Sequence, residues 1–108
     1  MTNYEFGDVL LVDFPQSGTT RRKRRPALVI LDFGDADVVL APITTRARSG
    51  RGDYPLHDWS SSGLLRASWV RLAKISCLEK RDVSRHLGHL SDHDKAELIA
   101  IWQQWYAL

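Results

Sequence analysis

The stretch PALVILDFGDADVVLAPIT, residues 26–44, decides how the chain folds. Residues 26–33 form a largely continuous apolar run, the pattern of a strand buried on both faces. Residues 38–44 form a second apolar run, rich in β-branched side chains. Between them, Gly34-Asp35-Ala36-Asp37 supplies turn-forming residues, so the two runs are predicted to pair as an antiparallel hairpin. The longest apolar run, Ala27 to Leu31, is far shorter than the ~20 residues a membrane-crossing helix needs.

Upstream, Gly7 to Phe14 (GDVLLVDF) reads as another strand. Pro15 to Arg24 (PQSGTTRRKR) has no apolar side chain beyond its proline and reads as a loop. Downstream, Arg46 to Asp53 is a second polar, basic loop. Tyr54 to Leu56 is a short strand, and Trp59 to Gly63 a turn. Ala67 to Ile75 alternates apolar with polar residues and reads as one strand. A further short strand is expected over His86 to Leu90. The period then changes. Ser91 and Asp94 fit a helix cap of the Ser-x-x-Asp type. Leu98, Ile99, Trp102, Trp105 and Tyr106 follow at helical spacing and are expected to face the core. Five or six short strands and one terminal helix predict a mainly β fold with a C-terminal helix, built on a small, strongly curved antiparallel sheet or barrel. At 108 residues, a single domain over 1–108 is expected.

Charge is spread unevenly. The formal net charge is only +2, yet eight of the 15 Lys and Arg residues lie between Arg21 and Arg51. No acidic residue occurs from Phe14 to Leu31, or from Val38 to Gly52. If these two basic stretches meet in space, they form a cationic surface suited to phosphates. The N-terminus has no basic, then apolar, signal-like pattern. The lone Cys77 cannot form an internal disulfide, which suits a reducing cytoplasm. Its neighbours Ile75 and Leu78 predict that it is a small buried apolar residue.

Taken in order, several short pieces resemble the MazF/PemK (Kid-like) family of type II toxin–antitoxin systems. They are Gly7-Asp8-Val9, Val12-Asp13-Phe14-Pro15, Arg25-Pro26-Ala27-Leu28-Val29, Pro42-Ile43-Thr44-Thr45, Gly63-Leu64-Leu65, Ser68-Trp69-Val70-Arg71 and Leu87-Gly88. The resemblance implies an SH3-like barrel, a homodimer, and single-stranded RNA bound in a groove near the dimer interface. It further implies an acidic antitoxin that blocks the groove, and sequence-preferring cleavage of RNA without a metal or other cofactor.

That chemistry needs little from a protein, because RNA carries its own nucleophile in the 2′-hydroxyl. The site has to align the attack, help move two protons and stabilise charge on the phosphorus. Arg25, fixed ahead of Pro26, matches a position with a catalytic role in the resemblance. Its guanidinium can donate two parallel hydrogen bonds to phosphate oxygens. Thr44, at the end of its strand, can donate a hydroxyl proton to a phosphate oxygen. Arg71 matches an arginine of PemK-type relatives. Ala73 stands where those relatives carry an aspartate that can act as a base, so the base stays open here. Thr19, Thr20, Arg21, Lys23, Arg46 and Arg48 are candidate RNA contacts. His86, His89 and His93 do not read as a metal site, because strand residues three apart face opposite sides. His57, in a loop, is the histidine that could approach the groove. Two alternatives share the fold: a CcdB-like toxin that binds gyrase without catalysis, and a binding module for RNA or antitoxin.

Overall fold

The computed structural model describes residues 2–15, 18 and 20–107. Among these residues seven strands precede one α-helix: β1 (Asp8–Pro15), β2 (Arg22–Leu31), β3 (Asp37–Thr44), β4 (Asp53–Pro55), β5 (Trp69–Arg71), β6 (Ser76–Glu79), β7 (Val83–His89) and α1 (Asp92–Trp105). All pair antiparallel, in the order β4-β5-β3-β2-β1-β7, with β6 also on β3. The sheet is open: β4 and β7 end the path and no pair joins them among the described residues. The mainly β architecture with a C-terminal helix is the expected one, with an open sheet in place of a closed barrel.

The hairpin of β2 and β3 lies at the centre because its residues are apolar on both faces. Leu28, Ile30, Ala41 and Ile43 enter one core with Val9, Val70, Leu72 and Leu98 of the helix. Ala27, Val29, Val38 and Leu40 enter a second core with Leu10 and Val12 on the other face. Burying each of the Val, Leu and Ile side chains contributes about 1.5–3 kcal/mol.

Several boundaries differ from the sequence reading. The basic run is not a loop: β2 begins at Arg22 and pairs with β1 as far as Pro15. The ladder extends because opposite charges meet across it, Arg24 facing Asp13. The single strand expected over 67–75 is broken. It stops at Arg71, a 3-10 turn covers Leu72–Lys74, and the chain restarts as β6 on the other half of β3. Cys77 lies on that added strand and is exposed, not buried. On α1, Leu98 is buried and Ile101, Trp102 and Trp105 pack on the core, but Ile99 is 43% exposed, and Tyr106, just past the helix, is 61% exposed. No helix among the described residues is long and apolar enough to cross a membrane.

Two glycines have a steric reason. A Cβ on Gly63 would strike the Leu87 carbonyl, and one on Gly88 would strike the Ser62 carbonyl. The turn at 60–63 and β7 thus pass backbone to backbone, an approach only glycine permits.

Candidate functional site

Strand alternation sorts the basic run into two sets. Arg22 and Arg24 point to one side, where Arg22 meets Asp82 at 3.1 Å and the Asp13 carbonyl at 2.7 Å, and Arg24 meets the Asp13 carboxylate at 3.1 Å. Lys23 and Arg25 point to the other, the side of Ala27 and Val29. There they line a cleft of about 380 Å³ with Pro26, Ile43, Thr44, Thr45, Arg46 and Arg48. Register explains the meeting. Ala27 pairs with Pro42, so two residues further along the hairpin Arg25 comes opposite Thr44.

No carboxylate is among the described residues lining the cleft. Arg25 is exposed and has no ion pair among the described residues. The Arg48 Nε is buried without a hydrogen-bond partner among the described residues. A buried, unmade bond of this kind costs about 1–3 kcal/mol, and an anion in the cleft can supply the acceptor. Thr44 Oγ1 accepts the Arg46 backbone N–H at 3.1 Å, which holds the start of the basic loop against the strand end. The hydroxyl proton is then directed elsewhere and is free to donate.

Beyond Thr44 the same face continues onto β5 and β4. Thr44 pairs with Trp69, and Trp69 with Pro55. Two residues along, Arg71 pairs with Asp53. Arg71 Nε donates to the Asp53 carboxylate at 3.3 Å, with Asp53 only 10% exposed. Arg71 thus lies on the face of the cleft but outside its lining. Asp53 brings a carboxylate beside this arginine, while Ala73 donates its backbone N–H to the Gly52 carbonyl just before β4. Sequence reasoning passed over Asp53 and Trp69, since only the β3–β5–β4 register puts them here.

Lys23, Arg25, Thr44, Arg46 and Arg48 therefore come together in one cleft. Thr20 and Arg21 are exposed just before β2, outside the lining. Thr19 lies outside the described residues. His57 is not in the cleft. It bonds Asp58 at 2.9 Å, and its ring lies 4.9 Å from that of His93. His86 and His89 do not face opposite sides as expected. Irregular register between β1 and β7 brings both onto the Asp8 carboxylate, at 3.1 and 2.8 Å. Burial alone would raise the Asp8 carboxyl, but the Glu5 backbone N–H and the two imidazoles hold it below the ordinary range. Among the described residues no group of three or more His, Cys, Asp or Glu side chains is arranged to hold a metal ion.

Residues 5–105 match the family described as PemK-like, MazF-like toxin of type II toxin-antitoxin system. Solved structures of similar fold include the Mycobacterium tuberculosis toxin MazF-mt6, 21% identical with a TM-score of 0.75, covering 94% of this chain and 97% of that one. An endoribonuclease from a mycobacterial species is 20% identical with a TM-score of 0.76, covering 100% and 95%. An endoribonuclease in complex with its cognate antitoxin, also mycobacterial, is 20% identical with a TM-score of 0.73, covering 95% and 94%. At these identities the likeness concerns the fold. No curated protein sequence matches the chain.

Proposed function

The chain belongs to the PemK-like, MazF-like toxin family of type II toxin–antitoxin systems, and from that premise we propose that it is an endoribonuclease cutting single-stranded RNA without a metal. The observation that carries this reading is the cleft where Lys23, Arg25, Arg46 and Arg48 surround Thr44 with no carboxylate among its described lining residues. Such a cleft suits a phosphodiester.

In this reading the RNA 2′-oxygen attacks the adjacent phosphorus and the bond to the 5′-oxygen breaks. The 2′-hydroxyl loses a proton and the leaving oxygen gains one, giving a 2′,3′-cyclic phosphate and a 5′-hydroxyl. Arg25 donates to the non-bridging oxygens and stabilises their growing charge. It acts as a charge stabiliser, since a guanidinium holds its protons too tightly to shuttle them. Thr44 donates its free hydroxyl proton to the same phosphate. Arg71, held by Asp53, adds positive charge further along the face. Lys23, Arg46 and Arg48 hold neighbouring nucleotides, and Thr19, Thr20 and Arg21 are further candidate contacts. The working form is a homodimer in the cytoplasm, each chain a single domain, neutralised when a cognate antitoxin lays an acidic segment in the cleft.

The test is incubation of purified, antitoxin-free protein with a long single-stranded RNA in EDTA, wild type beside Arg25→Ala. Discrete fragments ending in a cyclic phosphate are expected from wild type, with at least a hundredfold less from the variant. Intact RNA from folded wild type would instead favour a toxin that acts by binding a protein such as gyrase.

A further inference from the structure

Trp69 stands apart from the other three tryptophans. Trp59, Trp102 and Trp105 pack against the core behind the sheet. Among the described residues, Trp69 belongs to neither core cluster. On β5 it is half-buried while its neighbour Val70 is fully buried on the opposite face. Its ring has no aromatic partner among the described residues. A large indole outside both core clusters, on a three-residue strand, keeps part of its surface open to solvent. Its place is informative: it is the direct cross-strand partner of Thr44, on the face of the cleft, with Arg71 two residues further on.

We infer that Trp69 is a stacking platform for a nucleobase, next to the phosphate that the cleft holds. This inference rests on the ribonuclease reading and extends it from phosphate binding to base binding. Adjacent strands lie about 4.8 Å apart, so a phosphate at Thr44 sets one of its flanking sugars over β5. The base on that sugar then meets the indole. Single-stranded nucleic acids are commonly held by a cationic track for the backbone and aromatic faces for the bases. Here Lys23, Arg25, Arg46 and Arg48 form the track, and Trp69 supplies the face. Because every base has a π-face, the platform orients the strand across the sheet and leaves reading of base edges to other groups.

The experiment compares wild type with Trp69→Ala, Trp69→Leu and Trp69→Phe, each checked for folding by circular dichroism. Arg25→Ala serves as the control. Two probes are used: a labelled single-stranded oligoribonucleotide, and inorganic polyphosphate, which has the charge without the bases. Trp69→Ala and Trp69→Leu should bind the oligoribonucleotide about tenfold more weakly or worse, with polyphosphate binding unchanged. Trp69→Leu keeps apolar bulk, so it carries the test if the alanine variant does not fold. Trp69→Phe retains a ring and should recover most of the affinity. Arg25→Ala should weaken both probes. In cleavage, Trp69→Ala should raise KM and leave kcat close to wild type. Equal RNA affinity in wild type and Trp69→Leu overturns the inference, as does an equal loss for RNA and polyphosphate. So does weakened self-association or antitoxin binding with RNA affinity intact, which makes Trp69 an interface residue. A wild-type protein that binds no RNA overturns the ribonuclease reading as well, whereas one that cleaves RNA regardless of Trp69 overturns this inference alone.

Discussion

The Thr44 hydroxyl has two separable duties. It accepts the Arg46 backbone N–H at 3.1 Å, and in the proposed reaction it donates to phosphate. Thr44→Val keeps the β-branched shape and removes both. We expect kcat to fall about tenfold to a hundredfold with little change in melting temperature, while Thr44→Ser stays near wild type. Steady-state cleavage of one RNA by all three proteins checks this. Arg71 invites a parallel comparison, because Asp53 fixes its guanidinium. Asp53→Asn weakens that hold without adding bulk, so activity should fall less than with Arg71→Ala. A fall in Asp53→Asn as large as that caused by Arg25→Ala would instead make Asp53 part of the reaction. Arg25 and Thr44 were legible in the sequence because both belong to matched motifs, Arg25 beside Pro26 and Thr44 two residues after Pro42. Asp53 and Trp69 were not. Their placement depends on pairing between β4, β5 and β3 across 14 to 27 positions of sequence, and nothing local encodes that register.

At the level of the element, the start of α1 organises the loop before it. Ser91 Oγ accepts the Asp94 backbone N–H at 3.2 Å, as the Ser-x-x-Asp pattern predicts. The Asp94 side chain does not return to Ser91. Fully buried, it accepts from the Tyr54 hydroxyl at 2.7 Å and from the backbone N–H of His57 and Asp58 at 3.0 and 2.8 Å. Burial, then the Asp94 carboxylate, push the Tyr54 phenol well above its ordinary range, so it stays a donor at every working pH. Asp94→Ala orphans three donors at once and should lower stability by about 3 kcal/mol or more. Ser91→Ala removes a cap and its hydrogen bond to Asp58, for about 1 kcal/mol. Urea unfolding distinguishes the two. The cap was legible because it is local. The partners of Asp94 lie 36 to 40 residues away, and a two-letter pattern has no means of naming them. The same limit concealed β6: Ser76–Glu79 is short and mixed, and it becomes a strand because the first half of β3 leaves an edge for it.

Across the whole molecule, Asp32 joins three segments that are distant in the chain. Its carboxylate accepts the Tyr4 backbone N–H at 2.7 Å and the Gly34 backbone N–H at 2.8 Å, and it pairs with Lys80 Nζ at 2.9 Å. Both side chains of the ion pair are enclosed, at 0% and 8% exposure. Burial on its own would raise the Asp32 carboxyl, but Lys80 and the two backbone donors outweigh it and hold the group below the ordinary aspartate value of 3.8. A carboxyl whose pKa is lower in the folded state binds its proton more readily when unfolded. Its stabilising contribution is therefore complete above 3.8 and is lost as the pH drops through the lower, folded value. Asp32→Asn removes the charge and leaves the Lys80 ammonium enclosed without a counter-charge, at about 3 kcal/mol near neutral pH. In strong acid the wild-type carboxyl is itself protonated and resembles the amide. The stability gap between wild type and Asp32→Asn should hence be widest at neutral pH and close as the pH falls below 3.8. Urea melts of both proteins over an acid series measure that gap. A gap that stays constant with pH would mean that the carboxylate charge does not tie these segments together, and that the amide merely fits the site less well.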